Sequence, residues 1–335
     1  MLFSGVHRLD YESQSLAYLA CTRLSTYFFR GLHLCRNGAE STPVGKLPIT
    51  QLQKLAESGD PAAENELGIR YRLGGDVEAD KAKAVEWFRK AAQAGYPKAY
   101  FNMGAAYYNG DGVDASPMRA LVWFLLGKEA SDPSASGAVT RARSEMRAKD
   151  ITAGYMAIGD EYVQGDILKQ DYVEAMRWYK KAVDAGEGAG CERIASLFAR
   201  GLGVPQDNEQ ILHWLQRGAD LGDPVASYDL GRAYEQGSAV PPDPQKAVTL
   251  YENAALYNNT KAMFALGNLY NEGKGVTQDR QKALMWFILA ARYGNPDAGK
   301  QVAALSAELK PKQVEKAKQD ALRYVQRKPL ALIAK

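Results

Sequence analysis

The chain has 335 residues, of which 46% are hydrophobic and 24% charged, with 42 Lys and Arg against 39 Asp and Glu. A formal charge of +3 gives no overall field to hold nucleic acid or an anionic membrane, so no nucleic-acid partner is expected and an electrostatic partner must be met by a local patch. Cys21, Cys35 and Cys191 are odd in number and lack metal-site spacing, which argues against a disulfide framework and against zinc.

Residues 15–35 are apolar, but Arg23 and Arg30 interrupt them, and no run reaches the roughly 20 residues of a transmembrane segment. Asp10 and Glu12 stand where a secretory leader would be basic. Ala17, Ala20, Cys21, Leu24, Phe28 and Leu32 share one face of a helix, so an amphipathic helix packed on the rest of the chain is expected. A cytoplasmic location follows from this, with the periplasm or envelope as the alternative. Counting back one repeat length from the first clear copy puts Gly38, Ala56 and Gly59 on repeat slots. Residues 1–60 therefore read as the amphipathic helix followed by a degenerate capping repeat.

From residue 61 the chain is an array. A small residue recurs at Gly68, Gly104, Gly159, Ala195, Gly231 and Gly267, in steps of 36, 55, 36, 36 and 36 residues. Trp87, Trp123, Trp178, Trp214, Leu250 and Trp286 keep the same steps. A fixed period of this size marks one supersecondary unit stacked on copies of itself, each too small to bury its apolar face alone. The best copies are residues 61–95, 97–130, 224–258 and 262–296, and each reads as two helices. In the last, Ala262, Leu266, Gly267 and Tyr270 form one helical stripe, and Asn271–Gly275 is turn chemistry. Ala283, Trp286, Phe287, Ala290 and Ala291 form a second stripe. Gly294 ends that helix, and Asn295 with Pro296 opens the next, as Asp60–Pro61 and Asp223–Pro224 do elsewhere.

Glycine inside a helix costs about 1 kcal/mol relative to alanine. Its return at the same slot therefore indicates close helix contact, and Ala195 in the remaining copy indicates that size is what the slot selects. Three residues on, Tyr71, Tyr107, Tyr162, Phe198, Tyr234 and Tyr270 place a ring in every copy to fill the space between helices.

These positions resemble the Sel-one-like repeat, a subfamily of tetratricopeptide-type helical repeats. The resemblance covers two copies in 61–130 and four in 155–296. It implies an all-α fold, a right-handed α-solenoid of helix-turn-helix units whose first helices line a concave groove and whose second helices form the outer wall. It also implies a noncatalytic protein-interaction scaffold or adaptor.

The 55-residue step is one repeat plus 19 residues, so 131–154 is expected to hold an inserted helix. Its segment Ala138–Lys149 carries Arg141, Arg143, Arg147 and Lys149. That is either a basic partner-binding helix or a solvated face, with Ala142 and Met146 turned inward favouring the second. Residues 297–335 are expected to supply a C-terminal capping helix and tail.

Nothing in the pattern supports catalysis. His7, His33 and His213 have no catalytic partner in the repeat register. The Gly-x-Gly pairs at Gly110, Gly201 and Gly273 lack the preceding strand and following Lys-Ser or Lys-Thr of a phosphate loop. No cofactor and no metal are expected. Function then falls to positions that the fold leaves free. The groove positions of the tetratricopeptide unit, carried onto this chain, are Asn65, Arg72, Phe101, Tyr108, Asn109, Asp160, Gln164, Arg200, Tyr228, Arg232, Glu235, Phe264, Asn268 and Asn271. Aromatic rings among amides and paired charges suit a peptide or protein segment. A polysaccharide or cell-wall component handled in the envelope is the alternative.

Overall fold

A computed structural model describes residues 43–327 apart from Ile167. The chain divides into two compact units, 1–48 and 49–335. The described part of the first is a 3-10 turn, Val44–Lys46. The amphipathic helix expected around residues 17–32, and Gly38, lie outside the described residues.

Among the described residues the second unit consists of α-helices and contains no strand. Helix α1 (Ile49–Glu57) precedes two hairpins, α2 (Pro61–Leu73) with α3 (Lys81–Gln93) and α4 (Pro97–Asn109) with α5 (Pro117–Glu129). A single helix, α6 (Pro133–Glu145), comes next. Four hairpins follow: α7 (Ala148–Gln164) with α8 (Tyr172–Asp184), α9 (Ala189–Arg200) with α10 (Asn208–Asp220), α11 (Pro224–Gln236) with α12 (Pro244–Leu256), and α13 (Thr260–Glu272) with α14 (Arg280–Arg292). Helices α15 (Ala298–Glu308) and α16 (Pro311–Arg327) close the series.

Side-chain caps define these helices. Asp60 accepts from the Ala63 N–H at 2.8 Å and Asp223 from that of Ala226 at 2.6 Å. Every second helix is capped in the same register, by Asp80, Ser116, Asp171, Asp207, Asp243 and Asp279. The backbone N–H of five of these caps donates to the carbonyl of the ring residue nine positions earlier, as Asp279 does to Tyr270 at 2.9 Å. The turn is thus tied to the end of the first helix. One boundary differs from expectation. Asn295 folds back to accept from the N–H groups of Asp297 and Ala298, so Pro296 stays in the turn and α15 starts at Ala298.

The recurring small slot is a helix contact. A Cβ added to Gly68 or Gly231 would stand 2.7 Å from the ring of Phe88 or Tyr251, and one on Gly267 would stand 2.5 Å from Phe287. Gly104 and Gly159 face Phe124 and Tyr179 in the same way. Glycine is required there by the ring, and the helix accepts its propensity cost for the close approach. The second glycine of the Gly275 turn, at φ +74°, sits against the Pro244 carbonyl, which starts the second helix of the preceding repeat. Successive hairpins therefore meet through backbone as well as through side chains.

The buried residues form three clusters that follow one another along the stack. Trp123, Trp178 and Trp286 are among the largest buried groups. At the end of the series Tyr324 of α16 meets Trp286 edge-on, with ring centroids 5.1 Å apart, and covers the last repeat.

The inserted segment is half a repeat. Helix α6 begins 36 residues after α4, and Asp132 caps it on the Ala135 N–H at 2.8 Å just as Asp223 caps α11. It is a first helix without its second. The helical segment expected over 138–149 is interrupted at Met146 and Arg147, where α6 stops and α7 begins, because Arg147 and Asp150 pair at 3.1 Å to start a new helix. Ala142 and Met146 pack on the core, while Arg141, Arg147 and Lys149 are exposed. Across the insertion, Glu129 of α5 accepts from Arg177 and Lys181 of α8.

Candidate functional site

The sequence-derived groove positions divide by what their side chains touch. Asn65 is only 3% exposed and accepts from Asn102 at 2.8 Å, so it links α2 to α4 and is not available to a partner; this corrects its assignment to the groove. Phe101, Tyr228 and Phe264 are half-buried. Each leans on the ring that closes the glycine slot of its own repeat, Phe124, Tyr251 and Phe287, at centroid distances of 5.7, 5.6 and 5.4 Å. They present one face and pack the other. Asp160 accepts from the Tyr179 hydroxyl at 2.8 Å and pairs with Arg193, and Glu235 accepts from the Tyr251 hydroxyl at 2.6 Å. Arg72 lies 5.9 Å from the Phe88 ring. Asn268 and Asn271 are half-buried. Tyr108, Asn109, Gln164, Arg200 and Arg232 are exposed, Tyr108 at 53%.

Two cavities take in four of these positions, Phe101, Tyr108, Asn109 and Arg232. The first, about 250 Å³, lies between α4, α5 and α6 and brings Phe101, Tyr108 and Asn109 together with Phe124, Ala138, Arg141 and Met146. The second, about 410 Å³, lies between α9, α10 and α11 and holds Glu192, Leu212, Leu215, Asp229 and Arg232. Their linings correspond at an offset of 91 residues, the 55-residue step plus one 36-residue step: Phe101 with Glu192, Leu121 with Leu212, Phe124 with Leu215, Ala138 with Asp229 and Arg141 with Arg232. They are the same interstice of the repeat, furnished differently. The correspondence holds because α6 takes the place of a first helix.

The electrostatics follow the furnishing. Burial raises the Glu192 carboxyl above its ordinary value, with Asp229, Asp223 and Asp160 adding to the effect and Arg193 opposing it. Burial raises Asp229 too, against the opposing charges of Arg232 and Lys261. Cys191, buried beneath this repeat, is a thiol pushed up to about 11 by burial and stays protonated at neutral pH. Among the described residues no group of three His, Cys, Asp or Glu side chains is placed to hold a metal ion.

Asp229, Leu212 and Leu215 escaped the sequence reading. The residue following the tryptophan slot is Phe88, Phe124, Tyr179, Leu215, Tyr251 and Phe287, and the single missing ring marks the open repeat. A second signal was also passed over. Twelve residues after the ring slot, Lys246 and Lys282 donate to the hydroxyls of Tyr234 and Tyr270 at 2.7 and 2.6 Å and lie 4.1 Å from the ring centroids.

Stacked helix hairpins with side-chain-lined cavities between successive first helices define an α-solenoid of helix-turn-helix repeats. The Sel1 repeat model matches residues 61–96, 97–132, 152–187, 188–223, 224–256 and 260–295, more than half of the chain, and the protein belongs to the Sel1 repeat family. Members of this family are in general noncatalytic scaffolds for protein interaction. The secretory immunoglobulin A-binding protein EsiB of Escherichia coli is 41% identical over 46 residues, 14% of this chain and 9% of that protein. A protective antigen of uropathogenic Escherichia coli with an SLR fold is 28% identical, covering 83% of this chain and 64% of that one, with a TM-score of 0.47. A Sel1 repeat protein from Oxalobacter formigenes is 30% identical over 73% of this chain and 99% of that one, with a TM-score of 0.44. The chain thus spans only a small part of the curated relative it matches. No helix among the described residues is long and apolar enough to cross a membrane.

Proposed function

We propose that the protein is a noncatalytic scaffold that binds an extended protein segment along the first helices of its repeats, with an apolar side chain of that segment anchored between α4, α5 and α6. The observation that carries this reading is the convergence of Phe101, Tyr108 and Asn109 in one largely apolar cavity, with the Tyr108 ring half in solvent. A half-exposed aromatic beside an amide and an arginine is the composition of an interaction anchor. A relative named for binding an immunoglobulin supports a protein as the partner. The cytoplasmic location expected from the sequence is part of the proposal, and cleavage of the chain by protease added to spheroplasts would replace it with the periplasmic alternative.

Photo-crosslinking in the native cell tests the surface. A benzoylphenylalanine at Tyr108, Gln164 or Arg232 is expected to give adducts with one protein through one segment. The same group at the exposed second-helix positions Glu86, Arg89 or Asn253 is expected to give none. Adducts from the second-helix positions alone would overturn the reading.

A further inference from the structure

We propose that the cavity between α9, α10 and α11 receives a lysine side chain of the bound segment, its aliphatic stem lying on Leu212 and Leu215 and its ammonium between Glu192 and Asp229. This rests on the groove reading and specifies one of its subsites.

The argument is a comparison within one molecule. In the corresponding cavity of the second repeat the walls are Phe101, Phe124 and Ala138, and the space left is about 250 Å³. In the fourth repeat the same three positions are Glu192, Leu215 and Asp229, and the space is about 410 Å³. Two rings are gone, two carboxylates have come in, and the aliphatic floor joins Leu212, which keeps the place of Leu121, to Leu215, which replaces the Phe124 ring. Arg232 stands where Arg141 stands in the apolar cavity, so an arginine is common to both and the carboxylates are the difference.

Those carboxylates are poorly matched by the protein itself. Asp229 forms no ion pair or side-chain hydrogen bond among the described residues, and Arg232 and Lys261 act on it only through their charge. Glu192 meets Arg193 at 3.4 Å, but that arginine is half-exposed and also engages Asp160 at 3.2 Å. The two partly desolvated carboxylates line one cavity, the charge of Asp229 adds to the cost of ionising Glu192, and an incoming cation relieves both. Glu192 and Asp229 come from different helices, which suits a point charge on a flexible four-carbon stem. A guanidinium fork is matched better by both oxygens of one carboxylate.

The test uses n-butylammonium, the end of a lysine side chain, with n-butanol as its neutral counterpart, followed through the methyl NMR signals of Leu212 and Leu215. A fragment of this size binds at about the millimolar level. The expected result is saturable shifts at both leucines with butylammonium, binding about tenfold or more weaker for butanol, and a similar loss in the Glu192→Gln/Asp229→Asn variant. The comparison of the two fragments on the unaltered protein stands even if that variant folds poorly. Equal binding of the two fragments, or butylammonium binding unchanged in a folded variant, overturns the lysine subsite and leaves the groove reading in place. A native partner that crosslinks only to second-helix positions overturns the groove reading and leaves the fragment result as it is.

Discussion

Ala195 and Leu215 are a matched pair. Where five repeats set glycine against an aromatic ring, the fourth sets alanine against leucine, and both residues lie in the same buried cluster. Small slot and opposing side chain therefore change together, as close packing demands.

A side chain forced into the slot is expected to be costly. Gly231→Val would push a branched side chain into the Tyr251 ring, 2.7 Å from where a Cβ would stand, and is expected to lose about 2 kcal/mol or more in chemical denaturation. Leu215→Phe alone should destabilise as well, and Ala195→Gly should rescue it. Additive effects in that double-mutant cycle would show that the two positions are not in contact.

Trp178 is 1% exposed, and its indole N–H has no hydrogen-bond partner among the described residues. Trp178→Ala is expected to cost about 3–5 kcal/mol through the cavity it leaves. Trp178→Phe should cost less than half of that, because a ring is kept and an unsatisfied donor is removed. Equal losses from the two changes would mean that the N–H has a partner.

How much of this was legible depended on what repeats. The glycine, tryptophan and ring slots recur in fixed steps, so the hairpins and their core could be read from spacing alone. The 55-residue step marks α6 as an insertion of 19 residues, although Pro133 keeps the 36-residue step from Pro97. The groove was read less well. Period places Asn65 beside Phe101 in register, but a buried amide pair with Asn102 depends on a residue 37 positions away. The cavity of the fourth repeat depends on a triplet, Glu192, Leu215 and Asp229, drawn from three helices, and no single-helix pattern announces it.

Glu129 bridges the two sides of the half-repeat insertion, and its titration should show in stability. Burial alone would raise its carboxyl, but the bonds from Lys181 and Arg177 outweigh burial and hold it below the ordinary value of 4.5. A folded-state pKa below the unfolded one contributes stability that is present above about pH 4.5 and is lost as pH falls through the lower folded value. The stability difference between the wild type and Glu129→Gln should therefore be constant near neutral pH and shrink in acid. A difference that stayed flat down to pH values well below that window would show that the bridge does not perturb the carboxyl.

The most direct measurement is calorimetric binding of the crosslinked partner segment, as a synthetic peptide, to the wild type and to the triple variant Tyr108→Ala/Gln164→Ala/Arg232→Ala. All three side chains are exposed, so melting should be nearly unchanged. The account predicts that affinity falls about tenfold or more at constant Tm, since an aromatic anchor and an arginine are lost. Unchanged affinity in a variant that melts like the wild type would contradict it and move recognition away from the first helices.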